Sequence, residues 1–267
     1  MSVEQINKSA IAKSFGHAAE KYDSVAHFQR NVGGELLEKI PTIQPKCIVD
    51  LGCGTGYFLP NLSEKYPNAN LIGFDLSEEM IRFACKTNKN NPINSNIAWM
   101  VGDGERLPFK SGSVDLIFSS LAIQWCGSLS SLFAEIQRVL SAEGVFVFSS
   151  LVDGSLSELK SAWSQVDGKQ HVNAFAYLRD YQQAVSLTTM DTVVLDVEEK
   201  VLYYNKVKDL TRELKTLGAH NMTSKRATHL TGKQRIKQFL AAYECFRLDD
   251  GTLPASYQVL YGVITKQ

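Results

Sequence analysis

The five cysteines, Cys47, Cys53, Cys85, Cys126 and Cys245, form no CxxC pair. A disulfide framework and a cysteine-built zinc site are therefore excluded as the basis of the fold, and reduced thiols in a cytoplasmic setting are expected. Neither sign of charge dominates: 28 basic residues stand against 28 acidic ones, so the chain as a whole gives no polyanion-binding signal. No apolar run approaches the roughly 18 residues that a transmembrane helix needs. The N-terminal MSVEQINKSAIAKSFGHAAEKYD lacks the apolar core of a signal peptide. Internal repeats, low-complexity tracts and Pro/Gly/Ser-rich linkers are missing too. The histidines, His17, His27, His171, His220 and His229, suggest neither a catalytic triad nor a metal set, and each reads as a satisfied or surface residue.

What is present is an alternation. CIVDL (47–51), NLIGFDL (70–76), IAWMVGD (97–103), VDLIFSS (114–120) and GVFVFSSL (144–151) are short apolar runs of the kind that form buried parallel strands. Helical stripes lie between them: Val32, Leu36, Leu37 and Ile40; then Met80, Ile81, Ala84 and Cys85; then Leu132, Phe133, Ile136, Val139 and Leu140. Ser77 is placed to cap the second of these, with Glu78 and Glu79 in the first turn where the helix dipole favours them. Strands alternating with helices predict an α/β doubly wound sheet. Two further strands are expected at 192–204 and 256–266, with a basic helical stretch between them.

The glycine turn VDLGCGTGYF (49–58) closes the first strand. Such turns bind nucleotides in α/β folds because glycine lets backbone approach the ligand. The spacing Gly52-x-Gly54-x-Gly56 breaks the dinucleotide pattern G-x-G-x-x-G. Asp50 would also repel a pyrophosphate, whereas a ligand bearing an amine and a sulfonium suits it. S-adenosyl-L-methionine has both. Asp75 ends the second strand at the distance from the glycines where an acid takes ribose hydroxyls. Asp103 ends the third, where it can accept a hydrogen bond from an adenine amino group.

VDLGCGTGYF, GFDLSEEM and GDGERLPF together resemble the cofactor motifs of class I S-adenosylmethionine-dependent methyltransferases, over about residues 45–150. The resemblance implies a Rossmann-like seven-stranded sheet with an antiparallel last strand. It also implies a cofactor shell. Asp50, Gly52, Gly54 and Gly56 would face the methionine part and Asp75 the ribose, with Leu76 and Met80 beside it. Asp103, Gly104 and Glu105 would face the adenine, Ser119 and Leu121 would line the cofactor, and Gln29 and Arg30 would hold its carboxylate. One domain is expected over 1–267: an N-terminal cap to about 40, a cofactor-binding core over about 40–151, and a substrate-side helical insertion over about 206–245.

SFGHAAEKYDSVAHFQR (14–30), LAIQWCGSLSSLFAEIQRVL (121–140), LVDGSLSELKSAWSQVD (151–167) and LKTLGAHN (214–221) resemble, in order and spacing, the malonyl-acyl-carrier-protein O-methyltransferase family of biotin synthesis. That implies methylation of the free carboxylate of a malonyl thioester. Two sequence features agree. Lys206–Lys237 holds nine basic and two acidic residues, a local excess suited to an acidic carrier protein. It lacks the aromatic interleaving of single-stranded nucleic-acid sites. Arg212, with Lys215 on the same predicted helix, is expected to grip the malonyl carboxylate by its bidentate fork. Tyr22 is expected to orient that carboxylate. A carboxylate acceptor is already ionised near neutral pH, so no general base is required. The alternative is another small acceptor, such as a quinone precursor or a small carboxylic acid. A nicotinamide oxidoreductase and a non-catalytic binding module are disfavoured by the broken fingerprint and by the three strand-end aspartates.

Overall fold

A computed structural model describes residues 7–88, 97–219 and 232–267. Two helices, α1 (Lys8–Val25) and α2 (His27–Glu38), precede the first strand. There follow β1 (Cys47–Leu51), α3 (Leu59–Lys65), β2 (Asn70–Asp75), α4 (Glu78–Asn88), β3 (Ile97–Val101), β4 (Val114–Ser120), α5 (Leu129–Val139) and β5 (Leu140–Leu151). The remainder is α6 (Ser157–Ser164), α7 (Leu178–Ser186), β6 (Met190–Tyr204), α8 (Val207–Thr216), α9 (Lys233–Tyr243) and β7 (Leu253–Lys266).

The strands form one seven-stranded sheet in the order β3-β2-β1-β4-β5-β7-β6. β1 to β5 pair in parallel, and β7 enters antiparallel to both of its neighbours. Side chains alternate between two layers, as the pleat requires. Ile48, Leu116, Phe118, Val145 and Val147 pack on one face with Phe28, Val32 and Leu36 of α2. Val49, Ile117, Phe146 and Phe148 pack on the other with Leu132, Phe133 and Ile136 of α5 and Tyr181 of α7. Both faces of the central strands are buried, which is why they read as continuous apolar runs.

Local signals held where capping chemistry fixes them. The Ser77 hydroxyl accepts from the Met80 amide at 3.4 Å and opens α4. β5 starts earlier than its apolar run, because Leu140 pairs with Val114 before a register shift that resumes at Val145 opposite Leu116. Glu143 takes a left-handed conformation (φ 62°) within that irregularity. Among the described residues, no helix is long and apolar enough to cross a membrane.

The strand order reverses between β1 and β4, and the carboxyl ends of β1, β2 and β3 open onto the resulting crevice. That is where doubly wound sheets bind ligands.

Candidate active site

The glycine turn shapes the floor of the crevice. Gly52 sits at φ +76°, and a Cβ there would meet the Ala122 Cβ at 2.2 Å. Its amide donates to the Phe74 carbonyl at 2.7 Å. Gly54 sits at φ +54° with open space over its Cβ position, so backbone is presented bare to the cavity. The Gly54 amide donates to Asp75 Oδ2 at 2.9 Å, and the Ser77 amide to Oδ1 at 2.7 Å. Asp75 therefore ties the glycine turn to the head of α4. With Leu76, Met80, Asp103, Gly104 and Leu121 it lines the central crevice.

An adjoining recess is lined by Tyr22, Gln29, Arg30, Asp50, Gly52 and Gly54. Asp50 is 2% exposed, and its Oδ2 has no hydrogen-bond partner; the same holds for Gln29 Oε1. Burial, reinforced by Asp75, pushes the Asp50 carboxyl up to about 8. A buried acceptor without a donor is costly, and a cation would relieve it. Two such acceptors beside one recess make a site that fits an ammonium group; Arg30 lines the same recess, its guanidinium donating to the Asp23 carbonyl at 2.6 Å and lying 2.8 Å from His27 Nδ1.

Three expected cofactor contacts, Ser119, Gly56 and Glu105, are placed differently. Ser119 is fully buried and donates to the Leu51 carbonyl at 2.7 Å; Ser120 lines the crevice instead. The pleat decides this, since adjacent residues face opposite ways. Gly56 makes room for Trp99, whose ring a Cβ would meet at 2.6 Å, and lines neither the crevice nor the recess. Glu105 turns aside, accepting from the Gly127 amide at 2.5 Å and from Lys8 at 2.7 Å. Asp103 does reach the crevice, but its Oδ2 is engaged by Lys8 Nζ at 2.7 Å and its Oδ1 by the Glu105 amide at 3.0 Å. Lys8 of α1, which the motifs did not indicate, thus lines the crevice beside Asp103.

A second cavity of about 410 Å³ continues from the crevice. Phe15, Tyr22, Leu121 and Trp125 line both, so the two meet there. Tyr22 also lines the Asp50 recess, which puts it at the junction of all three spaces. Its ring is held edge-on to Phe15 at 6.4 Å. Burial, with Asp75 and Asp23 nearby, raises its hydroxyl well above the usual range, so it stays a proton donor.

Among the described residues, the walls of the second cavity are mostly apolar and carry no acidic side chain. Among the described lining residues, Lys215 and His171 have basic side chains. Arg212 is not among them. Its side chain is 74% exposed and pairs with Asp209 at 3.3 Å. Thr211, Leu214 and Lys215 make the cavity-facing stripe of α8, and one residue's rotation carries Arg212 off it. His171, read from sequence as an ordinary histidine, is instead part of the wall. Its Nε2 lies 2.8 Å from Asp167 Oδ1. Burial alone would raise the Asp167 carboxyl, but hydrogen bonds from His171 and the Lys169 amide outweigh it and hold it below its usual range.

Residues 49–148 match the model of a methyltransferase domain. The malonyl-[acyl-carrier protein] O-methyltransferase of Laribacter hongkongensis is 38% identical over 265 residues, covering 96% of this chain and 88% of that one. The chain belongs to the malonyl-[acyl-carrier protein] O-methyltransferase family. The same-named protein of Methylococcus capsulatus is 38% identical and is covered over 94% of its length. The biotin biosynthesis bifunctional protein BioHC of Cellvibrio japonicus is 43% identical across 98% of this chain, which spans only 51% of that longer protein. Solved structures share the fold of this family member. The YcgJ protein of Bacillus subtilis superposes with a TM-score of 0.62 at 19% identity, over 89% of this chain and 99% of that one. A geranyl diphosphate C-methyltransferase from Streptomyces coelicolor, solved with S-adenosyl-L-homocysteine, gives 0.54 at 18% identity, over 88% of this chain and 78% of that one.

Proposed function

We propose that the chain is an S-adenosyl-L-methionine-dependent carboxyl O-methyltransferase that converts the free carboxylate of a malonyl thioester to its methyl ester. The acceptor is malonyl-acyl-carrier protein, and the step belongs early in cytoplasmic biotin synthesis, in keeping with the names of the relatives. The observation that carries this reading is the acceptor cavity. It meets the cofactor crevice at Tyr22, is mostly apolar, holds no acid among the described residues, and takes Lys215 and His171 into its wall.

Asp50 and Gln29 would hold the ammonium of the cofactor, Arg30 its carboxylate, and Asp75 its ribose. At the adenine end, Asp103 and Gly104 present the edge that reads the base. When bound, S-adenosyl-L-methionine supplies a sulfonium methyl, to which one oxygen of the acceptor carboxylate bonds as the methyl–sulfur bond breaks. That oxygen is ionised near neutral pH, since a free carboxyl titrates at about 4. The protein then needs to orient it and keep water away. Tyr22 orients it by donating its hydroxyl at the junction of the cavities. A neutral donor suits the task better than a cation would, because it leaves the oxygen nucleophilic. Lys215 acts from the far wall by drawing an anionic acceptor inward.

Carrier docking is assigned to the basic surface around α8 and α9. Lys206, Lys208, Arg212, Lys215, Lys233, Arg235 and Lys237 lie in described segments. The rest of the Lys206–Lys237 stretch, residues 220–231, lies outside them. Acidic carriers associate faster with such a surface at low salt.

The test is methyl transfer from labelled cofactor to malonyl-carrier protein, malonyl-coenzyme A and acetyl-carrier protein. Label on the malonyl species alone is the expected result. Label on the acetyl species, or on none, would overturn the assignment of a free carboxylate.

A further inference from the structure

The polar residues lining the acceptor cavity differ in which neighbouring space they share. Tyr22 and Gln29 line both the acceptor cavity and the Asp50 recess. His171 lines the acceptor cavity and neither cofactor space. The reacting oxygen has to lie at the cofactor end, where the methyl group is delivered. His171 therefore meets another part of the acceptor.

The ring of His171 is fixed by two independent restraints. It stacks on Trp163 with centroids 3.8 Å apart and planes 11° from parallel, and Trp163 stacks in turn on Phe239 at 4.3 Å and 10°. Asp167 holds Nε2 in the ring plane at 2.8 Å. The His171 and Asp167 side chains are only 13% and 12% exposed. Asp167 is oriented in its turn by the Lys169 amide at 3.0 Å and by Arg235 at 3.7 Å. An ionised carboxylate can only accept, so Nε2 carries a proton, and in the tautomer with that single proton Nδ1 is the ring's acceptor.

An oriented ring nitrogen near Leu156, Leu159, Val172 and Phe175 in the cavity wall suits a flexible chain of methylenes interrupted by amides. That is the chemistry of the linker arm by which acyl thioesters are carried, whether on a carrier protein or on coenzyme A. We propose that His171, positioned by Asp167, accepts a hydrogen bond at Nδ1 from an amide N–H of this arm. It thereby selects a long thioester over a free small acid. The proposal rests on the reading of the acceptor as a malonyl thioester.

The experiment compares wild type with His171→Phe, which keeps an aromatic ring on Trp163 and removes Nδ1. Three acceptors are used: malonyl-carrier protein, malonyl-coenzyme A and S-ethyl malonyl thioester, which has no amide. KM is the readout, since it does not depend on the fraction of folded enzyme. His171→Phe is expected to raise KM about tenfold for the two arm-bearing acceptors, the size of one lost hydrogen bond. KM for the S-ethyl thioester and the Kd of the cofactor should stay as in wild type. If that variant does not fold, His171→Gln serves for the same comparison, with a smaller rise expected. An equal rise on all three acceptors would overturn the proposal, and so would unchanged KM on both arm-bearing ones. A rise on the carrier protein alone would overturn it too, by pointing to the carrier's surface. Wild type failing on every malonyl acceptor would instead defeat the functional reading itself, before any variant is made.

Discussion

Lys8 Nζ lies 2.7 Å from Asp103 Oδ2 and 2.7 Å from Glu105 Oε1, so the first turn of α1 is pinned across the loop that follows β3. The pairs are partly exposed, and each is worth well under 1–2 kcal/mol. Lys8→Met is therefore expected to leave the fold intact and to speed cofactor dissociation about threefold to tenfold, measured by stopped-flow displacement. An unchanged off-rate would show that the bridge does not hold the adenine end closed.

Asp50 links cofactor binding to pH. Its folded-state carboxyl titrates at about 8, far above the ordinary value. Between those values the folded chain keeps a proton that the unfolded chain has released. Stability is thus lost as pH climbs through that window. Asp50→Asn, which cannot ionise, should raise the melting temperature by several degrees at about pH 9 and hardly at all near pH 4. The same variant should bind cofactor at least about tenfold more weakly. Wild type should release protons on binding cofactor near neutrality, which calorimetry in buffers of different ionisation enthalpy can count. A melting temperature that does not respond at high pH would remove the buried charge from the account.

Tyr22→Phe keeps the ring against Phe15 and deletes the hydroxyl at the junction. It should lower kcat by roughly tenfold to a hundredfold, in line with loss of an orienting contact. Cofactor Kd should move little. Full activity in this variant would take the hydroxyl out of the mechanism.

Lys215 and Arg212 are neighbours in sequence with separate consequences. Lys215→Ala should raise KM for malonyl-coenzyme A several-fold. Arg212→Ala should leave that constant alone and act only on the carrier protein, weakening the salt dependence of its association rate. The reverse pattern would return the cavity role to Arg212.

These contrasts mark what can be read from a linear chain. The positions of Asp50, Gly52, Gly54 and Asp75 beside the crevice were legible because each is tied to the end of a strand whose apolar run is plain. Ser77 was legible because a cap is a local hydrogen bond. Ser119 was misplaced by a single step, since residue types in SSL do not reveal which way the pleat turns. Arg212 failed for the helical version of the same reason. Lys8 and His171 left no sequence signal at all. Their roles come from contacts that folding creates, in one case with a partner 95 residues away and in the other with the wall of a cavity assembled from α1, α6 and α8.

Phe15 and Tyr22 belong to one helix and face both ligand spaces. The Ser14 hydroxyl on that helix donates to the Gly218 carbonyl just beyond α8 at 3.0 Å. The donor and acceptor chambers thus share one helical partition, tied to the segment after α8. Turnover should accordingly follow a compulsory order, with the methyl donor loaded first and its spent form leaving last. Product-inhibition kinetics would then show S-adenosyl-L-homocysteine competing with the donor and acting noncompetitively toward the thioester.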